Sequence, residues 1–112
     1  METLRFKVKG QIMKKDSYAP SARMVAGTAN YYCAEFLMDS VWNGFACLAE
    51  FTAGDSSVAI PITMQSGVGY GVMIPEDILA NRLFSVRVIG QKDDTRLVTN
   101  SVKIYQSGGE NK

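Results

Sequence analysis

A chain of 112 residues with 46% hydrophobic and 21% charged residues has the length and composition of one globular domain. Its 12 basic and 11 acidic residues leave a formal net charge of +1, which argues against nucleic-acid or anionic-membrane binding led by overall charge. Histidine is absent, so imidazole metal ligands and the usual Ser-His and Cys-His nucleophile pairs are excluded. We therefore expect neither an enzyme nor a cofactor.

The N-terminal sequence lacks the apolar core of a signal peptide. No window approaches the roughly 20 apolar residues that a membrane-spanning helix needs. We expect a protein that is made in a cytoplasm and does not enter a membrane.

The first element is a strand in which Leu4, Phe6 and Val8 alternate with basic residues. Period-two alternation predicts a half-buried strand, and its basic outer face suits an edge position in a sheet. Residues 11–23 are polar and include Pro20, which predicts a turn followed by a long loop or arm.

The middle of the chain predicts four further strands with turns between them. A short strand at residues 24–26 precedes them. We expect the first two of the four to form a hairpin, and Pro61 indicates an edge or a bulge because proline cannot donate to a ladder. The four strands are predicted at residues 30–38, about 43–51, 57–64 and 70–74.

The last third predicts one helical turn and a β-hairpin. Glu76 and Asp77 follow a proline, a pattern typical of a helix start, so residues 75–81 can hold one turn. Residues 83–90 and 95–105 alternate with period two and are rich in β-branched side chains, and the polar turn 91–94 joins them. We expect one domain over residues 1–106 and a flexible tail over residues 107–112. Seven or eight short strands predict an all-β sandwich or barrel.

Trp42 stands at the start of a strand, where an indole can bury its ring and keep its N–H on a loop carbonyl. Alternating positions supply the rest of the predicted core. The predicted core residues are Trp42, Phe36, Phe45, Phe51, Ile60, Ile74, Phe84, Val86, Val88, Val98, Val102 and Ile104.

Cys33 and Cys47 are the only thiols and fall in apolar strands. They are too few for a zinc site, and we expect small buried side chains without a disulfide between them. The alternative is a disulfide between neighbouring strands, which cytoplasmic production disfavours.

Three other patterns resemble binding sites. The glycine-rich residues 67–71 look like a phosphate loop, but no predicted helix follows them. Asp93 and Asp94 beside Asp55 suggest weak calcium binding without EF-hand spacing, and turn chemistry explains these acidic residues equally well. A set of tyrosines and arginines suggests a stacking surface for single-stranded nucleic acid, although packing explains most of the tyrosines. That set is Tyr31, Tyr32, Tyr70, Tyr105, Arg82, Arg87 and Arg96.

A family resemblance rests on the order of several short motifs. These are Ala26-Gly27-Thr28, residues 32–36, Trp42-Asn43-Gly44-Phe45, Ala49-Glu50-Phe51, Ile74-Pro75-Glu76, residues 84–90, residues 95–102 and Gln106-Ser107-Gly108. Over roughly residues 25–108 the chain resembles a domain of tailed-bacteriophage and prophage virion proteins. It is similar to the amino-terminal domains of tail, baseplate or fibre proteins of phages that infect Gram-positive bacteria. The resemblance implies an immunoglobulin-like β-sandwich of about seven or eight short antiparallel strands.

The function expected from this resemblance is that of a structural component of a phage or phage-like particle. It would act in tail, baseplate or fibre attachment or in capsid decoration, bind other virion proteins and itself, and reside in the virion after synthesis in the bacterial host. The alternative is an oligonucleotide-binding-fold or other β-barrel module for single-stranded nucleic acid or a small ligand. The basic first strand and the polar arm are the expected protein contact, with β-strand addition as one mode. Its residues are Arg5, Lys7, Lys9, Lys14, Lys15, Tyr18 and Arg23.

Overall fold

The computed structural model describes residues 1–16 and 23–108, in which nine strands and two short helical turns occur. The strands are β1 (Glu2–Lys9), β2 (Ile12–Lys15), β3 (Tyr32–Met38), β4 (Ala46–Ala53), β5 (Ser56–Gln65), β6 (Val68–Met73), β7 (Leu83–Lys92), β8 (Thr95–Val98) and β9 (Val102–Tyr105). A 3₁₀ turn spans Ser40–Trp42, and α1 spans Glu76–Leu79, which confirms the predicted helical turn. The prediction of an all-β domain is confirmed.

The strands form one curled mixed sheet in the order β2-β1-β3-β6-β5-β4-β7-β8, and β9 pairs with β7 beyond the end of β8. Every pairing is antiparallel except that of β1 with β3, where Phe6 lies opposite Phe36. The expectation of antiparallel strands alone is therefore wrong. A parallel pair needs a long crossover, and the connection from residue 16 to residue 31 is long enough to provide it.

The first strand is not at an edge of the sheet, contrary to the sequence prediction. β1 pairs with β2 on one side and with β3 on the other. Part of the predicted arm forms β2, because Gly10 adopts φ +58° in a tight turn and buried Met13 alternates with exposed Lys14. Residues 17–22 of the arm, which include Tyr18 and Pro20, lie outside the described residues.

The side chain of Asn100 closes the curled sheet where β2 meets the break between β8 and β9. Its Oδ1 accepts a hydrogen bond from the Met13 backbone N–H at 2.7 Å, and its Nδ2 donates to the Met13 carbonyl at 3.0 Å. The Asn100 backbone N–H donates to the Gln11 carbonyl at 3.1 Å. One amide side chain thus replaces the pair of bonds that a neighbouring strand would give to Met13.

β3 and β4 are not neighbours, so the predicted hairpin between them is wrong. β3 pairs with β1 and β6, whereas β4 pairs with β5 and β7. Cys33 on β3 is half-buried, Cys47 on β4 is buried, and both are free thiols. Instead of a strand at residues 24–26, the structure has one isolated parallel bridge between Val25 and Ser107.

β5 is shared between the two halves of the sheet. It pairs with β4 from Ser56 to Ile62 and with β6 only from Thr63 to Gln65. Pro61 lies in the first part, which has a strand on one side only, as its sequence context predicts. The hairpin predicted for the last third is present, because both β8 and β9 pair with β7. Its second strand, predicted as one run over residues 95–105, is broken at residues 99–101 into β8 and β9.

The core lies inside the curl of the sheet and contains most of the predicted residues. None of the predicted set is exposed: Phe45, Ile60, Val98 and Val102 are half-buried, and the others are buried. Val98 nevertheless lies on the outer surface of the sheet, opposite Ile89, so its prediction as a core residue is wrong. Trp42 is 1% exposed, and its Nε1 donates to the Gly10 carbonyl at 2.8 Å, which confirms the predicted loop contact. The predicted core list omitted several fully buried side chains, namely Leu4, Phe6, Met13, Val72, Ile78 and Leu79, although the alternation of β1 had placed Leu4 and Phe6 on its buried face.

Candidate protein-contact surfaces

Four cationic side chains lie together on the outer surface of β1 and β2. We call Arg5, Lys7, Lys9 and Lys14 the basic face; all four are exposed. The period-two geometry of β1 puts its three cations on one side, and the register places Lys14 directly opposite Lys7. These four residues are part of the predicted contact, and the structure brings them together.

At its Arg5 end the basic face is balanced by an acidic residue. Arg5 Nε lies 3.2 Å from Glu35 Oε1 on β3, an exposed ion pair of small energetic value. Within residues 1–16 and 23–108, no ion pair involves the three lysines. Like charges directly opposite on neighbouring strands destabilise a sheet, so the Lys7 and Lys14 pair lowers stability and suits a contact with an anionic partner.

The other predicted contact residues do not belong to the basic face. Lys15 lies opposite buried Phe6, and its Nζ donates to the Asp16 carbonyl at 3.3 Å. Arg23 is exposed on the segment before the Val25 bridge. Tyr18 lies outside the described residues. The idea that β1 offers an edge for strand addition is wrong, because both of its sides are paired.

An apolar row crosses four strands on the outer surface of the other half of the sheet. We give this name to Pro61, Leu48, Ile89 and Val98, in which Leu48 lies opposite both Pro61 and Ile89, and Ile89 lies opposite Val98. Leu48 is 38% exposed. A shallow depression of about 320 Å³ lies over part of the row, and Ala59 is among its lining residues. The row forms an apolar surface suited to packing against another protein.

An ion pair borders the apolar row. Arg87 Nε lies 2.6 Å from Glu50 Oε1, and the register places these residues opposite each other on β7 and β4. Period-two alternation along β4 puts Leu48 and Glu50 on the face opposite its core residues, but this pattern does not reveal which residues of other strands continue the row.

β5 forms an open edge of the sheet from Ser56 to Ile62. From Ser56 to Ile62 its ladder partner is β4, and no other described residue makes a backbone hydrogen bond to this segment. Its outward side chains are small or uncharged, with Ser57, Ala59 and Pro61 exposed. Unpaired backbone groups at such an edge can form a ladder with another strand.

The three patterns that resembled binding sites do not assemble into sites. The glycine-rich residues 67–71 form the turn into β6 and most of β6 itself, so they do not lead directly into a helix. Asp55 lies in the β4–β5 turn and Asp93 in the β7–β8 turn, which are at opposite ends of the antiparallel β4–β7 pair. In the described part of the chain, no group of three or more potential ligands is placed to hold a metal ion.

The predicted tyrosine and arginine surface is dispersed over the molecule. Tyr32 is buried, and burial raises its pKa. Tyr70 on β6 and Tyr105 on β9 are separated by β5, β4 and β7 in the sheet. Arg87 forms an ion pair with Glu50. These residues therefore do not line one stacking surface.

Two buried amides hold α1 against the end of β9. Gln106 Nε2 donates to the carbonyls of Leu79 at 3.0 Å and Asn81 at 2.7 Å, and Asn81 Nδ2 donates to the Asp77 carbonyl at 2.8 Å. Because both N–H₂ groups bind backbone carbonyls, the orientation of each amide is fixed. The two side chains have a structural role in positioning the helix.

Comparisons with family models, with curated proteins and with solved structures find no match to this chain. Among the helices of the described residues, none has the length and hydrophobicity required to cross a bilayer.

Proposed function

We propose that the chain is a structural component of a phage or phage-like particle and works through protein–protein contacts. The observation that carries this proposal is the basic face, where Lys7, Lys9 and Lys14 stand on two hydrogen-bonded strands without an ion pair among the described residues. A rigid strand pair costs little side-chain or loop ordering on binding, which favours its use in a contact.

The partner of the basic face is an acidic surface of another particle protein. Electrostatic complementarity steers association and fixes the relative orientation of two surfaces. Ile12 lies opposite Lys9 and is 57% exposed, so the face offers apolar area beside its charges. That mixture suits a protein partner better than a simple polyanion.

The immunoglobulin-like sandwich belongs to this proposal as the finer description of the fold. Its support is the division of the ladders into β2, β1, β3 and β6 on one side and β4, β7, β8 and β9 on the other, with β5 common to both. The motif order that resembles phage virion domains supports the particle as the location.

The test is the presence of the chain in particles released by the bacterium that carries its gene. We expect the purified particles to contain the chain at a fixed ratio to the other structural proteins, measured by quantitative mass spectrometry and located by immunogold electron microscopy. A double variant, Lys7→Glu with Lys14→Glu, should be lost from the particles.

The matched control reverses two exposed charges away from the basic face, Arg82→Glu with Lys103→Glu. It should enter particles as the parent does, and thermal unfolding should show that both double variants fold. Absence of the parent chain from the particles overturns the proposal, and equal incorporation of both double variants overturns the role of the basic face.

The alternative function is binding of single-stranded nucleic acid, which the same basic face favours. That reading predicts tight binding of oligonucleotides with a steep loss of affinity as salt rises. A fluorescence anisotropy titration at two salt concentrations distinguishes it from the protein-contact proposal.

A further inference from the structure

The open edge of β5 lacks most of the features that normally prevent strand edges from pairing. Natural edge strands carry charged side chains, bulges or prolines, or are covered by other elements. β5 contains no charged residue between Ser56 and Gln65, and its ladder with β4 has no bulge. Pro61 is the one protective residue on this segment. The edge is therefore blocked at one end and available at the other.

Pro61 also indicates which backbone groups point away from β4. Proline is tolerated within a ladder where its nitrogen faces the open side, because no hydrogen bond is lost there. Backbone groups alternate in direction along a strand, so the N–H and C=O groups of Ser57 and Ala59 share the open side with Pro61. These two residues offer the donors that Pro61 cannot supply.

We propose that two copies of the chain associate by antiparallel pairing of their β5 edges, with the two-fold axis near Val58. In that register Ser57 of each copy lies opposite Ala59 of the other, and each residue supplies one donor and one acceptor. A segment without charge meets its own copy without repulsion, and an isologous contact forms a closed pair. The inference rests on the proposal that the chain works through protein contacts and names one of its partners.

The pairing joins the sheets of the two copies into one continuous sheet. A two-fold axis perpendicular to the sheet leaves the apolar rows of both copies on the same outer face. Because each row begins at Pro61 on the paired strand, the two rows lie close to each other. The contact involves one short strand from each copy, which is well below the roughly 1,000 Å² expected of a stable interface. The isolated dimer is therefore weak, and many copies held in one particle would strengthen it.

The test is the molar mass of the full chain in solution as its concentration rises to about 1 mM, a range that detects weak dimers. We expect sedimentation equilibrium to show a monomer that converts to a dimer. Ala59→Pro removes the outward N–H and should weaken the dimer about tenfold or more, since proline there sacrifices no bond to β4. Ser57→Lys places like charges near the axis and should have the same effect.

The matched control is Thr63→Lys, which adds the same charge to the same strand where β6 already occupies the edge. Its dimer should be as strong as that of the parent. Hydrogen exchange provides a second readout: the Ser57 and Ala59 amides should become protected as the parent concentration rises. This readout does not depend on whether a variant folds.

A parent chain that stays monomeric at about 1 mM, with no concentration-dependent protection, overturns the pairing. A dimer that persists equally in Ala59→Pro and Ser57→Lys overturns the assignment to β5. Either result leaves particle incorporation through the basic face intact, so failure of this inference is distinguishable from failure of the proposed function.

Discussion

Replacement of Asn100 by alanine should weaken the contact between β2 and the break between β8 and β9. The change removes the hydrogen bonds of 2.7 Å and 3.0 Å to the Met13 backbone, each worth roughly 0.5 to 1.5 kcal/mol net. We therefore expect the free energy of unfolding to fall by about 1 to 3 kcal/mol. For a domain near this size the thermal midpoint should fall by roughly 4 to 8 °C for each kcal/mol. Equilibrium urea unfolding measures the change.

The Asn100→Asp variant distinguishes the two hydrogen bonds to Met13 through the pH dependence of its stability. A carboxylate still accepts from the Met13 N–H, but its second oxygen then faces the Met13 carbonyl, which raises the pKa of the introduced carboxyl group. The variant should be less stable than the parent at neutral pH and should regain part of the difference as the pH falls and the carboxyl group becomes a donor. Equal stability of the parent and the alanine variant would refute the role assigned to these hydrogen bonds. The same conclusion would follow if the aspartate variant lost further stability, relative to the parent, as the pH falls.

Three further changes test the packing and the charges. Gly90→Ala should cost about 1 to 3 kcal/mol in urea unfolding, because its Cβ would lie 2.8 Å from a ring carbon of Trp42; an unchanged stability would contradict the contact. Burial raises the pKa of Cys47 above 9.0, so its alkylation should be slow in the native state, and native stability should fall as the pH rises beyond 9.0; fast native labelling would contradict this. Lys7→Thr should raise stability by roughly 0.2 to 1 kcal/mol by relieving repulsion with Lys14, and a loss would refute the assigned cost.

Local alternation predicts the strands well because it records burial directly. On β3, β4 and β7 the apolar side chains repeat every second residue, and the structure buries those positions. The core residues Phe36, Phe51 and Phe84 follow from this pattern alone. The α-helical turn α1 was also predictable, because Pro75 and the two acidic residues after it mark a helix start.

Neighbour relations could not be read from the sequence, since pairing depends on contacts between distant segments. The alternation of β1 is the same for an edge strand and an interior strand, so nothing local indicated that β3 would pair beside it in parallel. β2 was not predicted, because it is short and rich in lysine. Asn100 fell within the predicted strand 95–105, and its role depends on its hydrogen bonds to Met13, a residue distant in the sequence.

The candidate contacts were predictable to the extent that a single strand defines them. The cations of β1 share a face by period two, whereas Lys14 joins them only through the β1–β2 register. The apolar row requires four strands and could not be assembled from the sequence. Pro61 partly predicted the open edge of β5, because proline favours a strand that is paired on one side only.

The anchoring of Trp42 makes this residue a built-in optical reporter. It is the only tryptophan in the chain, it is 1% exposed, and its indole N–H binds the carbonyl of Gly10 at the tip of the β1–β2 hairpin. Its emission maximum and quenching therefore report on whether this hairpin is docked. Detachment of the hairpin that carries the basic face can therefore be followed by intrinsic fluorescence, without attaching a dye to its lysines.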